Sequence, residues 1–135
     1  LQPMIFEAAI ALLLEKKFEG KTRLTPKSNN NGADIIHFNE NIDLLIQVIQ
    51  SGSKLGINSG QEIIYALPEY SKKYNRTFKS QLITNRFFNQ TVIDLAEQNN
   101  IELIDREYVE KWIQEFPLNI DEVDNKLKDR ISSLN

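Results

Sequence analysis

The stretch ADIIHFNENIDLLIQVI, running from Ala33 to Ile49, decides how the chain reads. Two apolar runs, Ala33 to Phe38 and Asp43 to Ile49, carry the β-branched and aromatic residues that suit a pleated surface. Asn39-Glu40-Asn41-Ile42 joins them, so the stretch reads as a β-hairpin. With a four-residue connection, Phe38 pairs with Asp43 and Asp34 falls opposite Gln47. Opposed residues share a face and successive side chains alternate. Asp34, Gln47 and Ile49 therefore fall on one side of the hairpin, and His37 on the other.

Upstream, Met4, Ile5, Ala8, Ala9, Leu12 and Leu13 recur at helical spacing behind Pro3, and Gly20 is a stop, which predicts a helix over Pro3 to Phe18. Lys21 to Thr25 reads as a short strand and Pro26 to Gly32 as a loop. Downstream, Gly52, Gly56 and Gly60 suggest a mobile loop, then a helix over Gln61 to Tyr74 that Pro68 should kink or restart. Ser80 to Thr84 is a buried strand, Asn89 to Gln98 a helix, and Ile101 to Ile104 another strand. Asp105 caps a helix ending near Phe116, and Asp121 to Leu134 carries a last amphipathic helix. The order α-β-β-β-α-β-α-β-α-α is that of an α/β fold, a mixed sheet flanked by helices. We divide it into an α/β domain over residues 1–116 and a C-terminal amphipathic helix over 117–135, packed on that domain or extending from it.

The 135 residues suffice for one domain, since cores rarely split below about 250 residues. No cysteine is present, which excludes disulfides, thiolate zinc sites and cysteine nucleophiles. The longest uncharged apolar run, Ala8 to Leu14, is too short to cross a bilayer, and no membrane partner is expected. A chain opening on Leu1 reads as a piece of a longer parent protein with further domains, and the composition suggests a cytoplasmic one. The net charge of -3 hides an asymmetry: residues 1–90 hold 11 Lys/Arg against 8 Asp/Glu, and residues 91–135 hold 5 against 11. Such a split permits a basic face for a polyanion, though ordinary solvated positions would look the same.

Several residues could carry chemistry. Asp34 and Gln47 would bring a carboxylate and an amide oxygen together, two hard ligands of the kind Mg²⁺ accepts, and Glu7 on the first helix could add a third. A structural reading stays open, with Asp34 capping a strand and Gln47 satisfying a backbone group. His37, on the opposite face, reads as a packed or surface histidine. Gly52-Ser53-Lys54-Leu55-Gly56 lacks the spacing of a phosphate-binding loop. Arg23, Lys27, Lys72, Lys73 and Arg86 are the cations that could contact the backbone of a polyanion.

Phe6-Glu7 on a first helix, Thr25-Pro26, Gly32-Ala33-Asp34 opening a strand and Gln47-Val48 in the next follow a known order. Ile83-Thr84-Asn85 with Phe87-Phe88, and Ile101-Glu102-Leu103-Ile104-Asp105, come after. Over residues 4–114 the chain resembles the Mrr-type domain of the restriction endonuclease-like PD-(D/E)xK superfamily. The resemblance implies double-stranded DNA as partner, Mg²⁺ or Mn²⁺ as cofactor, and metal held at Asp34 and Gln47, with Glu7 accompanying them. It also implies a lysine two residues past Gln47, where this chain has Ile49. Loss of one charged donor of that kind costs about 10²- to 10³-fold in rate. Lys54 is the first candidate to replace it. Two functions follow as expectations: a metal-dependent DNA endonuclease of restriction or defence type, weak or lost in activity and possible as a homodimer, or an inactive DNA-binding or protein-interaction module.

Overall fold

A computed structural model describes residues 3–25, 32–49 and 55–133. The elements are α1 (Pro3–Phe18), β1 (Lys21–Leu24), β2 (Ile35–Phe38), β3 (Asp43–Ile49), α2 (Leu55–Tyr74), β4 (Phe78–Thr84), α3 (Gln90–Gln98), β5 (Ile101–Ile104), α4 (Arg106–Glu115) and α5 (Ile120–Ser133). The strands stand in the order β1-β2-β3-β4-β5. β1, β2 and β3 pair antiparallel, whereas β3, β4 and β5 pair parallel. Parallel neighbours need a crossover, which α2 and α3 provide. The expected element order and the mixed α/β sheet are both present.

The sheet separates two cores. On one face α1, α4 and α5 cover Leu24, Ile35, Leu44, Ile46, Ile83 and Ile104. On the other, α2 and α3 cover Ile36, Leu45, Ile49, Leu82 and Ile101. Strand β3 is central and apolar toward both faces, as a strand covered on both sides must be. Strand β1 is an edge with an alternating buried and exposed pattern. No described helix is long and apolar enough to cross a membrane.

Helix α2 differs from the expectation by beginning at Leu55 rather than Gln61. Gly56 and Gly60 are therefore helical, not part of a loop, and they form a contact surface. A Cβ on Gly56 would stand 2.8 Å from Val92 Cγ2, and one on Gly60 2.7 Å from Leu95 Cδ2. Their bare backbone is what lets α3 lie close to α2. Pro68 neither ends nor restarts the helix, which continues to Tyr74. Proline removes one N–H from the ladder, and an exposed helix surface lets water satisfy the freed carbonyl.

Helix α5 is tied to α1 by alternating charge. Lys16 Nζ lies 3.0 Å from Glu122 Oε2, Lys126 Nζ 2.9 Å from Glu15 Oε2, and Arg130 pairs with Glu7. Residue numbers fall along α1 as they rise along α5, so the two helices run antiparallel. Val123 and Leu127 complete the contact with apolar side chains packed on the α1-face core.

Candidate active site

The hairpin register places Ile35 opposite Ile46, Ile36 opposite Leu45 and His37 opposite Leu44. This is the register a four-residue connection predicts, and the pairing ends at Ile35, one step short of Asp34, whose N–H donates to the Ile46 carbonyl rather than that of Gln47. Gly32 shapes the approach to Asp34. Its φ is +78°, and a Cβ there would stand 2.5 Å from the Glu62 carbonyl oxygen. Glycine is the residue that tolerates both demands. The turn delivers Asp34 to the sheet end, where its N–H donates to the Ile46 carbonyl (2.7 Å) and its carbonyl accepts from Thr25 N–H (3.0 Å). The Val48 N–H donates to Asp34 Oδ2 at 2.8 Å, which fixes the carboxylate against β3.

Gln47 projects toward α2, where its Nε2 donates to Glu62 Oε2 at 3.0 Å. Its Oε1 is buried with no hydrogen-bond partner among the described residues. Glu62 is the residue the sequence reading missed. It lies fifteen positions beyond Gln47, and only the packing of α2 on the sheet brings it near. The result is an amide oxygen and a carboxylate, Gln47 and Glu62, on the α2 face, and the Asp34 carboxylate held on the β3 backbone one residue beyond Gln47. Ile49, on the α2 face, is 6% exposed and belongs to the core beneath α2.

The remaining nominated residues fall in different places. Glu7 reaches the same end of the sheet from behind. Asn39 Nδ2 donates to the Phe18 carbonyl (3.1 Å), which ties the end of α1 to the end of β2. From there α1 climbs to Glu7 over about 16 Å, and β2 covers about the same length from Asn39 to Asp34. Glu7 thus stands level with Asp34 but behind the sheet, buried and ion-paired with Arg130. Arg23 pairs with Ile36, which pairs with Leu45, so it faces the α2 side of the sheet, as Gln47 does, on the exposed edge strand. Arg86 follows β4, whose last residue Thr84 pairs with Ile49, and is exposed at the Asp34 end.

Lys72 and Lys73 close α2 at the other end, where Arg76 Nη1 holds Asp43 Oδ2 at 2.9 Å. Asp43 and Gln47 are about 13 Å apart along β3. Lys27 and Lys54 lie outside the described residues. Among the described residues no group of three His, Cys, Asp or Glu could hold a metal ion. Any metal here would rest on fewer carboxylates plus amide oxygen and water, an arrangement Mg²⁺ accepts. An open cleft of about 1010 Å³ lies toward the opposite end, lined by Lys17, Phe18, Lys79, Gln81 and Glu102 among others, and none of Asp34, Gln47 or Glu62 lines it.

His37 is fully buried beside Phe18, with ring centroids 6.4 Å apart. Burial holds its imidazole below the ordinary histidine value, against the opposing pull of the Glu19 backbone and the Glu15 and Asp43 carboxylates. For Glu15, burial acts upward, but the Thr22 N–H, the Thr22 hydroxyl and the Lys126 ammonium together hold it below the ordinary carboxylate value. Both groups are on the α1 side and belong to the scaffold.

A five-stranded mixed sheet with helices on both faces is the architecture of a restriction endonuclease-like domain of the PD-(D/E)xK type. The family model Mrr_cat, described as restriction endonuclease, matches residues 1–113. The chain belongs to that family. Among solved structures it is similar to the MspJI restriction endonuclease in complex with a 27-mer oligonucleotide, with a TM-score of 0.56 and 12% sequence identity. That match covers 97% of this chain and 32% of the other, so the chain spans about a third of that protein. No curated protein matches.

Proposed function

We propose that the chain is a metal-dependent endonuclease domain acting on double-stranded DNA, with Asp34 and Gln47 as the metal-holding pair. The observation that supports this is the Asp34 carboxylate held by Val48 N–H, one residue beyond Gln47, whose Oε1 is buried and unpartnered among the described residues. A buried acceptor left without a donor is costly, and a hard cation is one group that satisfies it. When bound, Mg²⁺ or Mn²⁺ supplies charge to a phosphate oxygen and acidifies a water. The chain's own residues orient that site. Val48 N–H fixes the Asp34 carboxylate, and Glu62 turns the Gln47 amide so that Nε2 points to α2 and Oε1 points away. Glu7, the third oxygen the resemblance implies, is held instead by Arg130 on the α1 side of the sheet.

Ile49 cannot donate, coordinate or lose a proton, so the positive charge beside the phosphate must come from elsewhere. Lys54 is the proposed source, with Arg23 flanking on the open face. Two copies would be needed to cut both strands in one encounter, and further domains of a parent protein would choose the target. A restriction or defence role in the cytoplasm suits a domain of this family. The test is a supercoiled plasmid incubated with Mg²⁺ or Mn²⁺: the wild-type chain nicks it, while Asp34→Ala and Lys54→Ala do not. An inert wild type at high enzyme concentration removes the catalytic reading.

A second reading is favoured by the burial of Ile49, which turns the lysine position into core. It is a binding module that holds DNA without cutting it. Its affinity would fall with salt at a slope of about -0.9 per phosphate contacted.

A further inference from the structure

The loop that leaves β4 at the Asp34 end of the sheet presents Asn85, Arg86 and Phe87 before α3 begins. Phe87 is 62% exposed, and Arg86 beside it is exposed with no ion-pair partner among the described residues. Flexibility does not explain the exposure, because the loop is anchored on both sides. Arg86 N–H donates to Thr84 Oγ1 (3.2 Å), and Arg86 carbonyl accepts from Arg106 N–H (3.0 Å). Immediately after, Phe88 packs against the core beneath α2, and Asn89 caps α3 by accepting from Val92 N–H (3.0 Å). Of two adjacent phenylalanines one is drawn inward and the other is held out, one residue from the exposed Arg86.

We infer that Arg86 and Phe87 form a DNA-contacting wedge, the guanidinium on a backbone phosphate and the ring against an unstacked base. This rests on the DNA-directed reading of the domain, and it goes further by naming where the duplex is deformed. Thr84 ends β4 opposite Ile49, about 7 Å beyond Gln47 along the strand direction, or two base-pair rises of about 3.4 Å. A duplex seated with a phosphate at Asp34 and Gln47 would meet the ring within a few steps of that phosphate. Apolar side chains inserted between base steps unstack and kink DNA, and an aromatic ring stacks on any base without reading its sequence. The wedge therefore supplies deformation and positioning, with sequence choice left elsewhere.

The test is duplex binding by fluorescence anisotropy with the 135-residue chain in EDTA, where no cleavage occurs. Phe87→Ala should weaken binding about tenfold with an unchanged salt slope, since a ring releases no counterions. Arg86→Ala should lower the salt slope by about 0.9. Phe87→Trp should retain affinity, and its added exposed indole should be quenched by the duplex, against a Trp112 background that is buried. Phe87→Ala binding within twofold of wild type, or an unquenched Phe87→Trp, overturns the wedge while leaving the DNA-directed reading in place. A wild type that binds no duplex overturns both.

Discussion

Ile49 stands two residues past Gln47, the position for which the resemblance implies a lysine, and its side chain is committed to the core with Ile36, Leu45 and Ile63. We predict that Ile49→Lys raises plasmid nicking by about 10²-fold, the gain expected for one charged donor next to a reacting phosphate. The long stem can leave its methylenes in the core and send the ammonium to the sheet end. The same variant should unfold at lower urea, because a buried charge is costly. Unchanged nicking in a folded Ile49→Lys protein would mean that the cation already comes from another residue. His37 yields a second prediction at this scale. Its folded value is depressed by burial, so below about pH 6.5 the unfolded chain binds the proton more readily. Stability should therefore fall as pH drops from about 6.5 toward the depressed folded value, before the Glu15 contribution is lost at still lower pH. Urea midpoints across pH 7.5 to 5 measure this, and His37→Leu should flatten the upper part of the curve.

Between elements, the glycines of α2 make a contrasting pair. Alanine is favoured over glycine in a helix by about 1 kcal/mol, so both substitutions begin with a gain. At Gly60 the obstructing atom is Leu95 Cδ2, the end of a flexible side chain that can swing aside. At Gly56 it is Val92 Cγ2, on a β-branched residue that is stiff at χ1 and buried. Gly60→Ala should leave stability unchanged or improve it by up to about 1 kcal/mol. Gly56→Ala should be destabilising, since overpacking costs about 1–3 kcal/mol. Equal thermal midpoints for the two variants would contradict this account of the α2–α3 contact. The glycine spacing was read as a loop because glycine is a poor helix former on local grounds. Nothing near it in the chain announces that α3 needs the room.

For the whole molecule, α5 completes the α1 face although the family match ends at residue 113. Arg130 is fully buried on Glu7, and Lys126 is buried on Glu15 and the Thr22 carbonyl (2.7 Å). Removing one member of a buried pair costs about 3–5 kcal/mol, because the other charge stays in a dry site. Arg130→Met should therefore destabilise by about that amount, and adding Glu7→Leu should recover most of it. A chain ending at Leu118 would lose both cations and should fail to fold cooperatively by denaturant titration. If the shortened chain unfolds like the full one, α5 is an appendage and not part of the core.

The element order and the β2–β3 register were legible because both follow from short-range causes: periodicity of apolar side chains, and a connection length that sets the hairpin register. Other features rest on contacts made at long range. Glu15 meets Lys126 across 111 positions, Glu62 meets Gln47 only through the packing of α2, and Arg130 looks in the chain like any solvated cation. The basic residues show the same divide. Arg23 and Arg86 share the candidate site's face or end, while Lys72 and Lys73 stand at the far end of the sheet, a separation set by the direction in which α2 returns. Local propensity places a residue on an element, but the energy that buries a charge or opposes two faces comes from partners distant in the chain, and it acts only once the sheet and both helical layers are assembled.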